Sequence, residues 1–373
     1  MNRMYKSLTM IALFLTLVPT VLASNTWYVN GVNGNNSADC KTPTTACKTI
    51  GHAISLASSG DSVIVAAATY SENLTIGISL NVIGSGSNTT IIDGGGVNGV
   101  VTIPNGSVQV TLSNVTIRHG FARYGGGLFN SGTLTIIAST ISGNKASTPS
   151  TCFFGCGAGG GGISNSGTLY ISESTVTGNV AYTQREKTGA SGGGISNSGT
   201  LNINNTTVSG NSASAQGAYG GGIVNSGTVI VNNSTITANA ARGIAYASGG
   251  GGISNTGNLA INNSTVSGNS GPSGGGIQNF PGMGGIATEQ TTIVANNPNG
   301  GNCSGTMTSK GYNLSSDGTC NFNSRGDLNN HDPLLGPLQS NGGPTETMAL
   351  LPGSPAIDGV SWFSLKWRRT SSR

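Results

Sequence analysis

Gly192-Gly-Gly-Ile-Ser-Asn197-Ser-Gly-Thr-Leu-Asn-Ile-Asn-Asn-Thr-Thr-Val-Ser-Gly-Asn211 decides the fold. Its opening (three glycines, Ile or Leu, any residue, Asn) occurs six times, with the Asn at Asn130, Asn165, Asn197, Asn225, Asn255 and Asn279. A second Asn follows 14 residues later in five copies, at Asn144, Asn179, Asn211, Asn239 and Asn269, and 17 later in the sixth, at Asn296. The steps between first Asn residues vary: 35, 32, 28, 30 and 24. A constant inner spacing within a variable outer one predicts a stacked solenoid. One part of each coil keeps register with its neighbours, while another is free to carry loops.

Within the quoted copy Leu201 and Ile203 alternate with polar residues and should point inward, Val208 continues the interior, and Ile195 adds to it. Stacking places such residues in columns that form a thin continuous core. The Asn columns are expected to form amide ladders at the strand spacing of about 4.8 Å. Gly and Asn also tolerate left-handed backbone at sharp corners. Gly, Asn, Ser and Thr are poor helix formers, which disfavours helix throughout the repeats. The expected fold is all-β, a right-handed parallel β-helix with an N-terminal cap.

Around this body, residues 1–23 read as a secretory signal peptide: Arg3 and Lys6, an apolar run from Leu8 to Leu17, and a small-residue cleavage site ending at Ala23. That run is too short for a confident membrane span. The expected mature chain starts near Ser24 or Asn25 and is extracellular or at the cell surface, with no integral membrane segment. Residues 24–104 form a cap and first coils, with a strand at Trp27–Asn30 and a short helix at Lys48–Ala57. Strand-like runs follow at Asp61–Ala66, Asn73–Ile83 and Thr89–Asp93. Residues 105–300 are the repeats, 301–359 a C-terminal region and 360–373 a tail. Inserts at Lys145–Ala158, Ala181–Ser191 and Ala241–Ser248 all lie between a second Asn and the next glycine triplet, so they should project from one side of the rod.

Only 8% of the 373 residues are charged, and 62 are Gly without a strict three-residue period, which excludes collagen. The chain holds 16 Lys/Arg and 12 Asp/Glu. Setting aside Arg3, Lys6, Lys366, Arg368, Arg369 and Arg373 leaves ten basic residues against twelve acidic ones, about −2. Electrostatic capture of nucleic acid is therefore not expected. Six cysteines fall into local pairs, Cys40/Cys47, Cys152/Cys156 and Cys303/Cys320, each able to close a disulfide in an exported protein. The three histidines, 52, 119 and 331, are not adjacent to any Cys, so no metal site and no cofactor are expected.

The repeats resemble those of right-handed parallel β-helix proteins with polymorphic-outer-membrane-protein-like repeats. Tyr28-Val-Asn, Cys40 and Cys47-Lys-Thr-Ile are similar to the start of pectin-lyase-like bacterial proteins. Gly311–Cys320, Asp332-Pro-Leu-Leu-Gly-Pro-Leu and Gly342–Asp358 resemble the choice-of-anchor Q domain of bacterial surface proteins. The resemblance spans about residues 25–359 and implies a surface protein. It stops at Gly359, after which the basic, aromatic residues 360–373 match nothing in that pattern; a truncation or frameshift is the first reading and an interfacial anchor the second. No amphipathic β-barrel segment is read near the C-terminus, which argues against self-transport.

The same fold hosts polysaccharide lyases and hydrolases, but fold alone confers no activity. Lyases need a carboxylate cluster for Ca²⁺ and an Arg, and hydrolases need paired carboxylates. Between Val100 and Gly300 the acidic residues are Glu173, Glu186 and Glu289, none stacked on another. A non-catalytic rod is the expectation, with possible polysaccharide or cell-surface glycan partners. Tyr182, Tyr219 and Tyr246 lie on the loop side and, with Tyr124, are expected to be exposed, where they either stack on sugar rings or simply pack the loops. The enzyme alternative rests on Asp93, Arg118 and His119, about one coil apart, as a base and a substrate clamp; the other reading is an ordinary solvated trio flanking the first coils. His331 and Asp332 read as turn residues, and Asp317 and Asp327 as turn caps or cation ligands. Asn-x-Ser/Thr triplets such as Asn73, Asn114 and Asn233 follow from composition alone.

Overall fold

The computed structural model describes residues 24–148, 157–183, 189–243 and 248–357. One coil shows the plan. Ile195–Asn197 forms a strand on face three, Thr200–Asn204 on face one, and Thr207–Ser209 on face two. Each of these strands pairs parallel and in register with the coils before and after it: Leu201 faces Leu169 and Val229, and Val208 faces Val176 and Ile236. Among the described residues, faces one and two each run to eleven strands and face three to nine. This is a parallel β-helix. Ile195, Leu201, Ile203 and Val208 are fully buried, as the alternation predicts.

Both Asn columns form ladders. Asn130 Nδ2 donates to Asn165 Oδ1 at 2.7 Å, and the same bond continues through Asn197, Asn225 and Asn255 to Asn279. In the second column Asn144, Asn179, Asn211, Asn239 and Asn269 are linked likewise, and each also accepts the preceding coil's backbone N–H. The sixth member is Asn297 rather than Asn296: Asn269 Nδ2 donates to Asn297 Oδ1 at 3.1 Å. Asn296 has φ 56°, the left-handed position that Gly143, Gly178 and Gly210 hold one residue before their ladder Asn.

The glycine triplets do more than turn corners. Gly192 has φ 61°, but a Cβ on Gly193 would lie 2.4 Å from the Ser212 carbonyl, and one on Gly194 would lie 2.7 Å from Gly222 O. The second and third glycines are thus required by the approach of neighbouring chain, not by their own backbone angles. The inserts also differ from expectation, because their roots are strands. Lys145–Ser147, Val180–Tyr182, Ser212–Ala215 and Ala240–Gly243 belong to one parallel sheet. Gly157–Gly159, Gly189–Ser191 and Gly217–Tyr219 form a second. Between them Ala146, Ala181, Ala213, Ala158, Ala190 and Ala218 make a separate thin core, so this side is a two-sheet fin.

The cap helix is Ile50–Leu56, shorter than the sequence suggests, and Glu72 fixes its start by accepting the Ile50 and Gly51 amides at 2.8 Å. The expected run at Asn73–Ile83 is two strands, Leu74–Thr75 and Leu80–Gly84, on different faces, and Ala68–Ser71 is an additional strand. Disulfides join Cys40 to Cys47 and Cys303 to Cys320; Cys152 and Cys156 lie outside the described residues, as do the signal segment and the tail. No helix among the described residues is long and apolar enough to cross a membrane.

After the last coils the chain doubles back. The antiparallel hairpin Leu335–Gln339 and Thr347–Leu350 lies along the outside of face two. Thr207 Oγ1 donates to Glu346 O at 2.6 Å, and Thr345 Oγ1 to Asn205 O at 3.3 Å. Outward Thr207, Ser209, Thr235 and Thr237 are accordingly buried, whereas Thr140, Ser142, Thr175 and Thr177 remain half-exposed.

Candidate ligand groove

The uncovered end of face two holds Asp93, Arg118 and His119. Asp93 ends the strand Thr90–Asp93 and pairs in register with Arg118, which ends Thr116–Arg118. Ile92 and Ile117 point into the core, so strand alternation turns the charged neighbours outward. Arg118 Nε donates to Asp93 Oδ2 at 2.9 Å, His119 Nδ1 lies 2.9 Å from the same oxygen, and the Gly95 amide donates to Oδ1 at 3.0 Å. Burial raises the Asp93 pKa, but the Gly95, Arg118 and His119 bonds outweigh it and hold the carboxyl below its usual value. His119 itself has φ 54° at a position where the next coils carry Gly143 and Gly178. That conformation costs a non-glycine residue about 1 kcal/mol.

Beside this trio is a cavity of about 480 Å³ lined by Gly95, Gly96, His119, Gly120, Phe121, Gly143, Lys145 and Tyr182. The fin supplies its far wall. Phe121 pairs with Lys145 in register, and Ser147 with Tyr182 on the next coil. Phe121 is 36% exposed. The residues from two separate sequence readings, His119 and Tyr182, therefore meet in one groove. Phe121 and Lys145 escaped the sequence reading. They become legible once Gly120, whose amide donates to Asn144 Oδ1, is aligned with that ladder residue.

The other tyrosines do not join them. Tyr219 is half-buried rather than exposed: its ring meets Phe280 edge-on at 6.3 Å and 65°, and burial raises its hydroxyl pKa. Tyr124 is 44% exposed with the Arg123 guanidinium 5.0 Å from its ring centre. Tyr246 lies outside the described residues.

No family model matches this chain, and no curated protein does. Among solved structures it is similar to the pectate lyase Pel9A, at 14% identity over 83% of this chain and 80% of that one, with a TM-score of 0.46. It is also similar to the pectin methylesterase PemA from Erwinia chrysanthemi (15% identity, 74% and 80% covered, TM-score 0.35) and to a rhamnogalacturonan lyase (11%, 81% and 83%, 0.35). These are likenesses of architecture, and the parallel β-helix stands on the strand register itself.

The remaining candidates have structural partners. Asp317 accepts from Thr319, Asn302 and Ser315, and Asp327 from Ser309, Asn313 and Ser324. Their oxygens cap turns. His331 Nδ1 lies 2.7 Å from Asn329 O, and Asp332 Oδ1 accepts the Leu334 amide. Cys40, Cys47 and His52 cluster closely enough for a metal, but the two sulfurs are bonded to each other. Glu173 faces a different groove, of about 450 Å³, near Thr140, Thr175 and the hairpin residue Pro344.

Proposed function

We propose that the protein is an exported, non-catalytic rod at the cell surface or secreted, and that it binds acidic saccharide chains in the groove between face two and the fin. The observation that carries this reading is the meeting of two aromatic rings, Phe121 and Tyr182, with His119 and Lys145 around one cavity. Aromatic faces stack on sugar rings and Lys145 offers N–H donors to a carboxylate or sulfate substituent, while His119, whose Nδ1–H is given to Asp93, presents Nε2 as an acceptor to a sugar hydroxyl. Asp93 is already engaged by Arg118 and His119, so it offers little repulsion to an anionic ligand. The surface assignment draws on the resemblance of residues 311–358 to an anchoring domain, and the two disulfides fit an oxidising compartment.

A second reading, a polysaccharide lyase or hydrolase, is favoured by the Asp93–His119 hydrogen bond, which leaves His119 Nε2 for a ligand. Hydrolysis would need two carboxylates flanking one bond, and no carboxylate lines the cavity itself. A glycan array run beside reducing-sugar and unsaturated-product assays separates the two. The expected result is retention of acidic saccharides without product release, weakened roughly tenfold or more by Phe121→Ala with Tyr182→Ala and weakened by salt. Turnover that disappears in His119→Ala would replace the binding reading with the enzymatic one.

A further inference from the structure

Face one presents a long outer surface that carries no charge. Its eleven parallel strands run from Thr26–Val29 to Thr308–Ser309 and at about 4.8 Å per step span about 48 Å. No outward position on them is Asp, Glu, Lys, Arg or His; Glu289, on Ile286–Gln290, points into the core. Soluble surfaces usually carry roughly 25–35% charged residues. This chain is poor in charge throughout, at 8%, yet the body's charges stand elsewhere: Asp93 and Arg118 on face two, Lys145 and Arg242 on the fin, Glu173 at a corner.

The surface is also pre-organised. Asn232 Nδ2 donates to Asn204 Oδ1 at 3.0 Å, and Asn262 Nδ2 to Asn232 Oδ1 at 2.9 Å, so a row of amides is fixed at the coil repeat. At the opposite edge of the strands Thr168, Thr200 and Thr228 form an outward column, and in the column between the two rows the Tyr170 ring is 44% exposed. The hairpin lies on face two and leaves this face open. A partner that matches must itself be flat, uncharged and repeating. Fixed side chains on both sides lose little conformational entropy on contact.

We propose that face one docks onto the flat surface of an ordered, uncharged polysaccharide, with Tyr170 stacked on a sugar ring and the Asn204–Asn232–Asn262 row bonded to hydroxyl or acetamido groups. This site is independent of the groove. The test is depletion of the full-length protein from solution by microcrystalline cellulose and by microcrystalline chitin, at about 0.05 and about 0.5 M salt. Binding to at least one polymer is expected at both salt concentrations. Tyr170→Ala and Thr200→Lys should each weaken it roughly tenfold, with thermal midpoints near wild type because both side chains point outward. Phe121→Ala with Tyr182→Ala should leave it intact. No depletion by either polymer, or loss only in the groove variant, overturns the proposal. So does a shift from dimer to monomer in Thr200→Lys during sedimentation, since a second copy would then occupy the face.

Discussion

At the residue scale the least conventional side chain is Glu289. It continues the column of Ile171, Ile203, Val231 and Ile261, pairs in register with Ile261, and is fully buried. Neither carboxyl oxygen has a hydrogen-bond partner. Burial alone pushes its pKa from 4.5 up to about 8. A raised carboxyl pKa means that the folded state holds its proton where the unfolded chain has released it. Stability is therefore greatest below the unfolded value of 4.5 and declines through the window up to about 8, by roughly 1.4 kcal/mol per pH unit at most. Glu289→Ile should restore the aliphatic column, raise the melting temperature most near pH 8, and flatten the decline. Thermal scans of both proteins from about pH 5 to about pH 8 test this. Parallel curves for wild type and variant would show that the acid is not the titrating group.

At the scale of elements, the C-terminal hairpin behaves as a strap. It crosses about 140 residues of sequence to reach Asn205 and Thr207, and the side-chain bonds described there are Thr207 to Glu346 and Thr345 to Asn205. Thr207→Val removes one donor and leaves the Glu346 carbonyl without that partner, at a cost of about 1 kcal/mol. Amide exchange of residues 335–350 should accelerate several-fold while the coils keep their protection, because Val suits a strand as well as Thr. Equal acceleration in the coils would mean that strap and rod open together. The hairpin also marks where the sequence ceased to be legible. The repeats were readable because each coil restates the same alternation and the same Asn. The hairpin occurs once, and docking across so long a separation leaves no periodic trace. The fin was readable in principle, since Ala146, Ala181 and Ala213 recur just after each ladder Asn, but alanine gives a weak apolar signal. The groove was half-visible: His119 and Tyr182 stood out separately, and only the fin brings them together.

For the whole molecule, the ladders and columns make stability a sum over coils and their nearest-neighbour interfaces. The number of coils should then be adjustable without changing the fold. Residues 198–225 are one complete coil of 28 residues, from just after Asn197 to Asn225. Removing them joins Asn197 to Ser226, preserving the Asn-Ser-Gly corner, and sets Leu169 against Val229 and Asn179 against Asn239 in the surviving ladders. Thr175, which pairs in register with Thr207, takes over its place beneath the hairpin tip. The shortened chain should be soluble, unfold in one cooperative transition at a somewhat lower temperature, and keep the groove, whose lining residues all precede the cut. Removing only residues 198–211, half a coil, breaks both ladders and every column at once. That variant should fail to fold. Circular dichroism melts of the two deletions decide the matter: if the 28-residue deletion collapses like the 14-residue one, the coils are not interchangeable units, and the end cap, fin and strap must specify the rod's length together.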